Sequence, residues 1–212
     1  MGKGASPVSV IVFDTETTAP QPGQICQLAW LTVDGAGVRG QNLYFSVDAM
    51  TPRSFGVHGL SLERLAALSG GRRFEDEAAR VLAEFAGADW LVGHSVAVDM
   101  RFLGAELSRC GLEPGAMKAF CTRDFFVRMR RAKYGARVGW PSLSRLAEWY
   151  GVSPEAVAER CAEWFSGGAA AHDARYDAAA TWLCLRAAAA RGELDGFCDE
   201  ALLHSALAGR AD

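Results

Sequence analysis

The first part of the chain alternates short apolar runs with turn-forming residues, a pattern typical of strands. β-Branched and aromatic residues fill 8–13, and a second apolar run spans 25–33. The segment 34–37 (Asp-Gly-Ala-Gly) supplies turn chemistry, and a third run follows at 41–47. Runs of this length, separated by so few residues, predict a meander of three antiparallel strands.

From residue 61 onward the apolar positions recur with helical spacing, interrupted by two short strand-like runs. The clearest helix covers 74–86, where one face collects Phe74, Ala78, Val81, Leu82 and Phe85. The two strand-like runs occupy 89–93 and 119–122. Further helices are predicted at 61–68, 98–110, 124–133 and 142–150, shortly after Ser153-Pro154, and at 173–191. A meander followed by alternating strands and helices predicts an α/β fold with a central mixed five-stranded sheet, antiparallel then parallel, flanked by helices.

The composition is that of an ordinary globular protein and narrows the functional classes. The 212 residues carry 25 acidic and 22 basic side chains, for a net charge of -3, and 50% of them are hydrophobic. This near-balance excludes a strongly basic protein that coats nucleic acid along its length, but it leaves room for a local basic patch. We expect residues 1–7 to form a disordered leader and 8–212 to form a single domain.

Two further features of the sequence bear on where the protein works. Its apolar runs are shorter than the roughly 18 residues that a membrane span needs, and no secretory leader is recognisable. The six cysteines include no C-x-x-C pair, which favours reduced thiols. We therefore expect a cytoplasmic protein with no membrane partner.

Candidate chemistry begins where the first strand ends, at Asp14 and Glu16. Side chains alternate along a strand, so these two carboxylates project from the same face. Carboxylates held that close repel one another unless a proton or a cation lies between them, and a divalent cation with oxygen ligands meets that need. The alternative is an acidic strand end that enters a solvated loop.

Two later segments place acidic residues at the start of helices. Gly93-His94-Ser95 follows a predicted strand and leads to Asp99, and His172 precedes Asp177 at the beginning of the last helix. A carboxylate in the first turn of a helix is stabilised by the helix dipole, so a purely structural role stays open for each aspartate. Likewise, a surface position is the structural alternative for His172.

In this order, the three segments resemble the motifs of the DnaQ-like (DEDDh) 3′–5′ exonuclease superfamily. The segments 23–29, 57–61 and 140–147 are similar to the superfamily's intervening sequences. His172 lies five residues before Asp177, as in the histidine subclass, whereas the tyrosine subclass would carry its tyrosine at the position of Asp173. Two departures lie beside the acids: Ser95 stands where the family often has asparagine, and Ala19-Pro20 replaces the usual glycine after the first motif.

The resemblance implies a ribonuclease H-like three-layer fold and a metal-dependent 3′–5′ exonuclease. Two divalent cations, Mg²⁺ or Mn²⁺, would be held by the four acids Asp14, Glu16, Asp99 and Asp177, and His172 would act as the general base. Hydrolysis would release nucleoside 5′-monophosphates from the 3′ end of single-stranded DNA or RNA. An oligoribonuclease-type enzyme restricted to short oligonucleotides, or a catalytically silent nucleic-acid-binding module, are the alternatives.

Substrate contacts are expected beside the acids and in one basic segment. Thr15, Thr17 and His94 flank the acidic motifs. Between 123 and 137 the chain carries six basic residues against one acid, and we expect Arg128, Arg130 and Arg131 of this segment to contact phosphates. The alternative for this segment is a solvated helix face. The predicted partner is the 3′ end of a single strand, with a homodimer or a separate polymerase chain as further candidates.

Overall fold

The computed structural model describes residues 8–135, 137–199 and 202. The predicted leader at 1–7 lies outside the described residues. Five strands are present: β1 (Val10–Thr17), β2 (Ile25–Asp34), β3 (Gly37–Tyr44), β4 (Trp90–Gly93) and β5 (Ala119–Cys121). The helices are α1 (Pro52–His58), α2 (Leu62–Ser69), α3 (Ala78–Ala86), α4 (Val96–Arg109), α5 (Thr122–Tyr134), α6 (Leu143–Tyr150), α7 (Pro154–Phe165) and α8 (Ala174–Ala190).

The strands form one mixed sheet in the order β3-β2-β1-β4-β5. β1 pairs antiparallel with β2, and β2 pairs antiparallel with β3. β4 runs parallel to both β1 and β5. The predicted meander and the mixed five-stranded sheet are therefore confirmed, and β1 occupies the centre of the sheet with neighbours on both sides.

The alternating side chains of β1 pack on two different helical layers. Val10 and Val12 face a cluster that contains Phe125, Leu146 and Trp182, from α5, α6 and α8. Ile11 and Phe13 face the opposite cluster, which contains residues of α3 and α4 such as Phe85 and Phe102. Burial on both faces explains why β1 is an almost continuous apolar run. The sheet thus lies between two helical layers, as the three-layer prediction required.

The strand boundaries differ most from the predictions in β1 and β3. β1 continues to Thr17, so Asp14 and Glu16 lie inside the strand rather than just beyond it. β3 begins at Gly37, opposite Asp34, and the connection to β2 shrinks to a two-residue turn. The start of β3 is largely polar and only partly buried, and edge strands of this kind give no apolar run to detect.

The prediction omitted one helix, α1. The hydroxyl of Thr51 accepts a hydrogen bond from the Ser54 N–H, and Pro52 occupies the first helical position. Gly59 ends the helix in the left-handed conformation, with a φ of 69°. Capping residues define this helix, whereas its seven residues are too few to show a clear apolar period. The helix predicted at 74–86 is in turn divided, because Phe74–Asp76 forms a 3-10 turn before α3.

Two properties of the described part of the chain concern membrane spanning and thiol chemistry. None of its helices combines the length and the apolar character required to cross a bilayer. All six cysteines are free thiols.

Candidate active site

Because side chains alternate along β1, the residues of the first motif face two different helical layers. Asp14 and Glu16 follow the parity of Val10 and Val12 and face α8. Thr15 faces the other way, and its hydroxyl donates a 2.7 Å hydrogen bond to Oδ1 of Asp99 on α4. The central strand therefore connects acidic residues that come from opposite sides of the sheet.

Three of the four predicted acids form a tight cluster. One carboxylate oxygen from each of Asp14, Glu16 and Asp177 lies within 4.8 Å of the other two. Asp99 lies near enough to raise the pKa of Asp14 by charge repulsion. The structure thus brings together side chains that are separated by more than 160 positions in the sequence, because α8 begins beside the end of β1.

Burial and mutual repulsion make these carboxyls hard to ionise. Burial, followed by repulsion from Asp99 and Asp177, raises the pKa of Asp14 well above its usual range. Burial and the charge of Asp177 raise the pKa of Glu16 to about 9. Burial raises the pKa of Asp99 to about 7, opposed by the Thr15 hydrogen bond, and that of Asp177 to about 6, opposed by His172.

The donor set fits a hard divalent cation. The cluster offers only carboxylate oxygens, which are the ligands that Mg²⁺ and Mn²⁺ prefer. Glu16 and Asp99 are only 8% and 6% exposed, so water screens their charges poorly. A bound cation would remove the repulsion that raises the four pKa values.

A buried amide of β2 holds the beginning of α8 in place. Nε2 of Gln27 donates 2.9 Å hydrogen bonds to Oδ1 of Asp173 and to Oδ1 of Asn42, and its Oε1 accepts one from the Ala174 N–H. Asp173 caps the helix and pairs with Arg175 at 2.7 Å. Burial opposes ionisation of Asp173, but hydrogen bonds from Arg175 and Gln27 lower its pKa overall. Asp173 is thus an ionised structural residue beside the cluster.

The predicted base, His172, lies in the exposed turn immediately before α8. Its backbone adopts the left-handed conformation, with a φ of 64°, which is uncommon for a residue other than glycine. Both its charge and a hydrogen bond from its backbone lower the pKa of Asp177. The imidazole is therefore within electrostatic reach of the cluster, on the solvent side of it.

The second motif connects the catalytic edge of the sheet to α5 and α6. The two ring nitrogens of His94 lie 3.1 Å from Oγ1 of Thr122 and 3.1 Å from the carbonyl oxygen of Pro141. Gly93 lies close to β1, since a Cβ there would be 3.3 Å from the Phe13 carbonyl oxygen. His94, predicted to contact substrate, thus has both nitrogens in contact with protein groups.

A cleft opens beside Glu16, between the end of β1 and α1. It is lined by Glu16, Thr17, Ala19, Pro20, Arg53, Ser54, Val57 and His58. Of these, Thr17 was predicted to contact substrate. Ala19-Pro20, which stands where the family pattern has glycine, forms part of the wall. Arg53 and His58 had no predicted role, although the N-cap of α1 at Thr51-Pro52 was a readable sign that a helix begins there.

Two residues of α4 hold the loop that forms this wall. Oε1 of Glu106, which is buried, accepts a 2.7 Å hydrogen bond from the Ile25 N–H. The guanidinium of Arg109 pairs with Glu106 at 2.6 Å and donates to the carbonyl oxygen of Gly23 at 2.5 Å. The loop between β1 and β2 is therefore fixed at its C-terminal end.

The predicted phosphate-binding arginines lie on α5, at some distance from the acids. Thr122 marks the catalytic end of α5, because its hydroxyl donates to the Gly93 carbonyl oxygen. Arg128 and Arg131 are exposed six and nine residues further on, about 9–14 Å along the helix axis. Arg130 is partly buried and stacks on the ring of Trp149, at 4.0 Å from its centroid.

Comparison with known proteins agrees with this architecture. In solved structures, the chain is similar to exonuclease I, with a TM-score of 0.70 and 18% identity over 89% of this chain and 42% of the other. It is also similar to a zinc-bound complex of E. coli exonuclease I with single-stranded DNA (TM-score 0.69, 19% identity, 87% and 41% coverage). A complex of E. coli exonuclease I with a dA16 oligonucleotide gives a TM-score of 0.69 and 18% identity, with 89% and 42% coverage.

These similarities establish the fold, and the chain spans less than half the length of the exonuclease I chains. No curated protein matches the sequence. A family model described as exonuclease, of the RNase T type, matches residues 11–184, which include all four acids and His172. The chain therefore belongs to the RNase T-type exonuclease family of the DnaQ-like superfamily.

Proposed function

We propose that this protein is a nuclease, and more specifically a metal-dependent 3′–5′ exonuclease that releases nucleoside 5′-monophosphates from single-stranded DNA or RNA. One observation supports this proposal most directly: carboxylate oxygens of Asp14, Glu16 and Asp177 lie within 4.8 Å of one another. Asp99 lies beside them, and His172 lies at the solvent edge of the cluster. A cluster of buried carboxylates with raised pKa values is unfavourable for stability, so its presence favours a catalytic role.

The four acids would hold two divalent cations, Mg²⁺ or Mn²⁺. Bound there, the cations would stabilise the negative charge that develops during phosphodiester hydrolysis. Asp14 and Glu16 are fixed by the central strand, and Asp177 is fixed by the capped start of α8. Thr15 orients Asp99 through its 2.7 Å hydrogen bond, so its contribution to the site passes through that carboxylate.

His172 is proposed as the general base. It lies in an exposed turn next to Asp177, where a ring nitrogen can take a proton from an incoming water molecule. The water oxygen then bonds to phosphorus, the bond from phosphorus to the 3′ oxygen breaks, and that oxygen takes a proton from solvent. The Asp177 carboxyl lies within the electrostatic field of His172, whose charge lowers the pKa of that carboxyl.

The cleft beside Glu16 is the proposed site for the terminal nucleotide. Thr17 offers a hydroxyl group there, Arg53 offers a positive charge for a phosphate, and Val57 offers an apolar contact. The solved relatives with single-stranded DNA or a dA16 oligonucleotide support a single strand as the substrate. His94 contributes by holding Thr122 and Pro141, which border this edge of the sheet.

The direct test follows cleavage of 5′-labelled single strands of DNA and RNA with Mn²⁺. We expect a ladder that shortens from the 3′ end and disappears with EDTA. Asp177→Asn should lower the initial rate by at least about a thousandfold, roughly 4 kcal/mol of transition-state stabilisation. The exposed Glu159→Gln on α7 is the matched control and should retain the wild-type rate.

Two results would contradict the proposal: full activity of Asp177→Asn, or products that shorten from the 5′ end. A parallel series of dinucleotides and longer strands separates a general exonuclease from an oligoribonuclease-type enzyme. Rates confined to the shortest substrates would favour the oligoribonuclease type. Binding without cleavage under every metal condition would favour a catalytically silent module.

A further inference from the structure

Two arginines of α5 stack on exposed tryptophans instead of pairing with carboxylates. The Arg123 guanidinium carbon lies 4.2 Å from the ring centroid of Trp140, and that of Arg130 lies 4.0 Å from that of Trp149. In each arginine, Nε is buried and has no hydrogen-bond partner among the described residues. The ring therefore covers Nε, and within that part of the chain no ion pair involves either side chain.

The first pair, Arg123 and Trp140, lies at the catalytic edge of the sheet. Arg123 is the second residue of α5 and follows Thr122, whose hydroxyl donates to the Gly93 carbonyl oxygen. Trp140 precedes Pro141, whose carbonyl oxygen lies 3.1 Å from the His94 ring. Trp140 is nevertheless 66% exposed, more than any other large hydrophobic side chain among the described residues.

The second pair, Arg130 and Trp149, lies about 10 Å further along the axis of α5. Trp149 is 36% exposed, and Tyr134 contacts its ring edge-on and is itself 54% exposed. Arg123, Arg130 and Tyr134 are spaced by seven and four residues, which places them on one face of the helix. The two pairs and Tyr134 therefore form a stripe along α5 that leads away from the acids.

Arginines outnumber acids along α5, and a carboxylate at the distal end of the stripe, that of Glu193, accepts a hydrogen bond from the Tyr134 hydroxyl. Arg128 and Arg131 are exposed on the same helix, and Asp124 is the one acidic residue of α5. Exposed aromatic rings interleaved with arginines match the two needs of a single strand, since bases stack on rings and phosphates pair with guanidinium groups. A hydrophobic partner protein would match the rings but would have to bury the unpaired positive charges.

We propose that this stripe is a track on which the single strand lies upstream of its 3′ end. The proposal rests on the function proposed above, and it adds the path of the strand. Trp140 stacks a base near the catalytic edge while Arg123 contacts a phosphate. The distal pair acts on nucleotides further from the 3′ end, so it engages long strands and leaves the shortest substrates untouched.

The test measures binding of 5′-fluorescent single strands by anisotropy in EDTA, where affinity is recorded without turnover. Trp140→Ala should raise the Kd of a 12-mer about tenfold, within the range known for loss of one stacked base. Trp140→Phe should recover most of this loss. The exposed Leu68→Ala on α2 is the control and should bind as the wild type does.

Two further measurements test the track specifically: binding of oligonucleotides of different lengths, and the dependence of affinity on salt concentration. Trp149→Ala should weaken binding of the 12-mer severalfold but leave binding of a trinucleotide unchanged. Arg123→Gln should reduce the slope of log affinity against log salt concentration by about 0.7, the value for one lost phosphate contact on a single strand. Equal effects of Trp149→Ala on both lengths would overturn the assignment of the distal pair.

Unchanged Kd values in both Trp140→Ala and Trp149→Ala, with wild-type melting temperatures, would overturn the proposal as a whole. If those variants also convert a dimer to a monomer in sedimentation velocity, the stripe is an interface between copies of the chain instead. The two proposals fail separately: strand binding without cleavage by the wild type refutes the exonuclease function alone, and cleavage with unchanged Kd values refutes the track alone.

Discussion

At the scale of single residues, the site combines groups that oppose folding. Four carboxyls lie in one place, and burial raises the pKa of each of them. A carboxyl whose pKa rises on folding binds more protons in the folded chain than in the unfolded chain. The free energy of unfolding therefore falls as the pH rises through the interval between the two pKa values.

This reasoning predicts how the metal-free protein responds to pH. For Glu16 the interval runs from its ordinary value of 4.5 to about 9. In EDTA, we expect Glu16→Gln to be more stable than the wild type at pH 8, by more than about 1.4 kcal/mol, the equivalent of one pKa unit. The measurement is urea unfolding of both proteins at pH 5 and pH 8.

The advantage of Glu16→Gln should shrink at pH 5, because the wild-type carboxyl is then protonated in the folded protein. Asp76→Asn, at an exposed position of the 3-10 turn, is the control for a lost acidic charge. A difference between Glu16→Gln and the wild type that does not change with pH would show that Glu16 is ionised in the metal-free fold.

A substitution at His172 can remove the imidazole and yet keep the backbone conformation of the turn. Its φ of 64° lies in the left-handed region, which asparagine tolerates better than most residues. We therefore expect His172→Asn to keep the turn and the melting temperature but to lose about 10²–10⁴-fold in kcat, the usual contribution of a general base. The measurement is kcat with saturating Mn²⁺ and substrate, across a pH series.

Wild-type kcat should fall on the acidic side of that series, and part of this limb should remain in His172→Asn, because the four acids must also lose their protons to hold a cation. Binding of Mn²⁺ should be close to that of the wild type, because the acids are untouched. A variant that keeps the wild-type kcat and its acidic limb would show that another group accepts the proton.

At the scale of elements, Gln27 connects the sheet to the helix that carries Asp177. Gln27 is fully buried, and its amide joins β2 to Asp173 and Ala174 at the start of α8. Without this amide, the buried Ala174 N–H would lose its acceptor, and the partly buried Asp173 and Asn42 would lose a donor. An unsatisfied buried polar group costs about 1–3 kcal/mol.

Gln27→Leu is therefore expected to lower the free energy of unfolding by about 1–3 kcal/mol and to reduce kcat more than it raises KM. The reason for the second effect is that Asp177 lies on the first turn of α8, which would lose its anchor. The measurements are urea unfolding and initial rates at saturating substrate.

The matched control is Gln41→Leu on β3, whose side chain bonds to Glu84 and Arg80 on the opposite face. It should cost stability without a specific loss of kcat. Equal kcat values for the two variants would assign Gln27 a purely structural role.

Some of the elements could be predicted from the sequence, whereas contacts between elements could not. β1 and α8 were predictable because burial on both faces leaves continuous apolar or Ala-rich runs. The motif acids were found by their order along the chain, and the alternation of β1 correctly placed Asp14 and Glu16 on one face. The contacts of His94 and Arg130 were not predictable, because they depend on how α5 and α6 pack, which no local pattern encodes.

The backbone conformation of Ser95 explains why the family often has asparagine at this position. It precedes α4 in the left-handed conformation, with a φ of 76°. Asparagine adopts this conformation more readily than serine does, which accounts for asparagine at this position in the family pattern. The departure therefore concerns backbone conformation and touches none of the acids.

At the scale of the whole molecule, the acidic cluster ties together elements that are distant in the chain. Asp14 comes from the central strand, Asp99 from the helical layer on one face and Asp177 from the layer on the other. In the unfolded chain these residues are separated by tens of positions and do not form a site. A cation that binds them therefore binds the folded protein alone and stabilises the entire three-layer arrangement.

This coupling predicts a thermal shift that depends on the cluster. At a concentration of Mn²⁺ one hundred times its Kd, binding adds about 2.7 kcal/mol to the free energy of unfolding. For a domain of this size that corresponds to a rise in Tm of about 5–11 °C. Asp177→Asn should lose most of this rise, since one of three clustered ligands is replaced, and Glu159→Gln should show it in full. Scanning calorimetry with EDTA and then with Mn²⁺ measures both, and an equal rise in wild type and Asp177→Asn would mean that the ion stabilises the fold from another position.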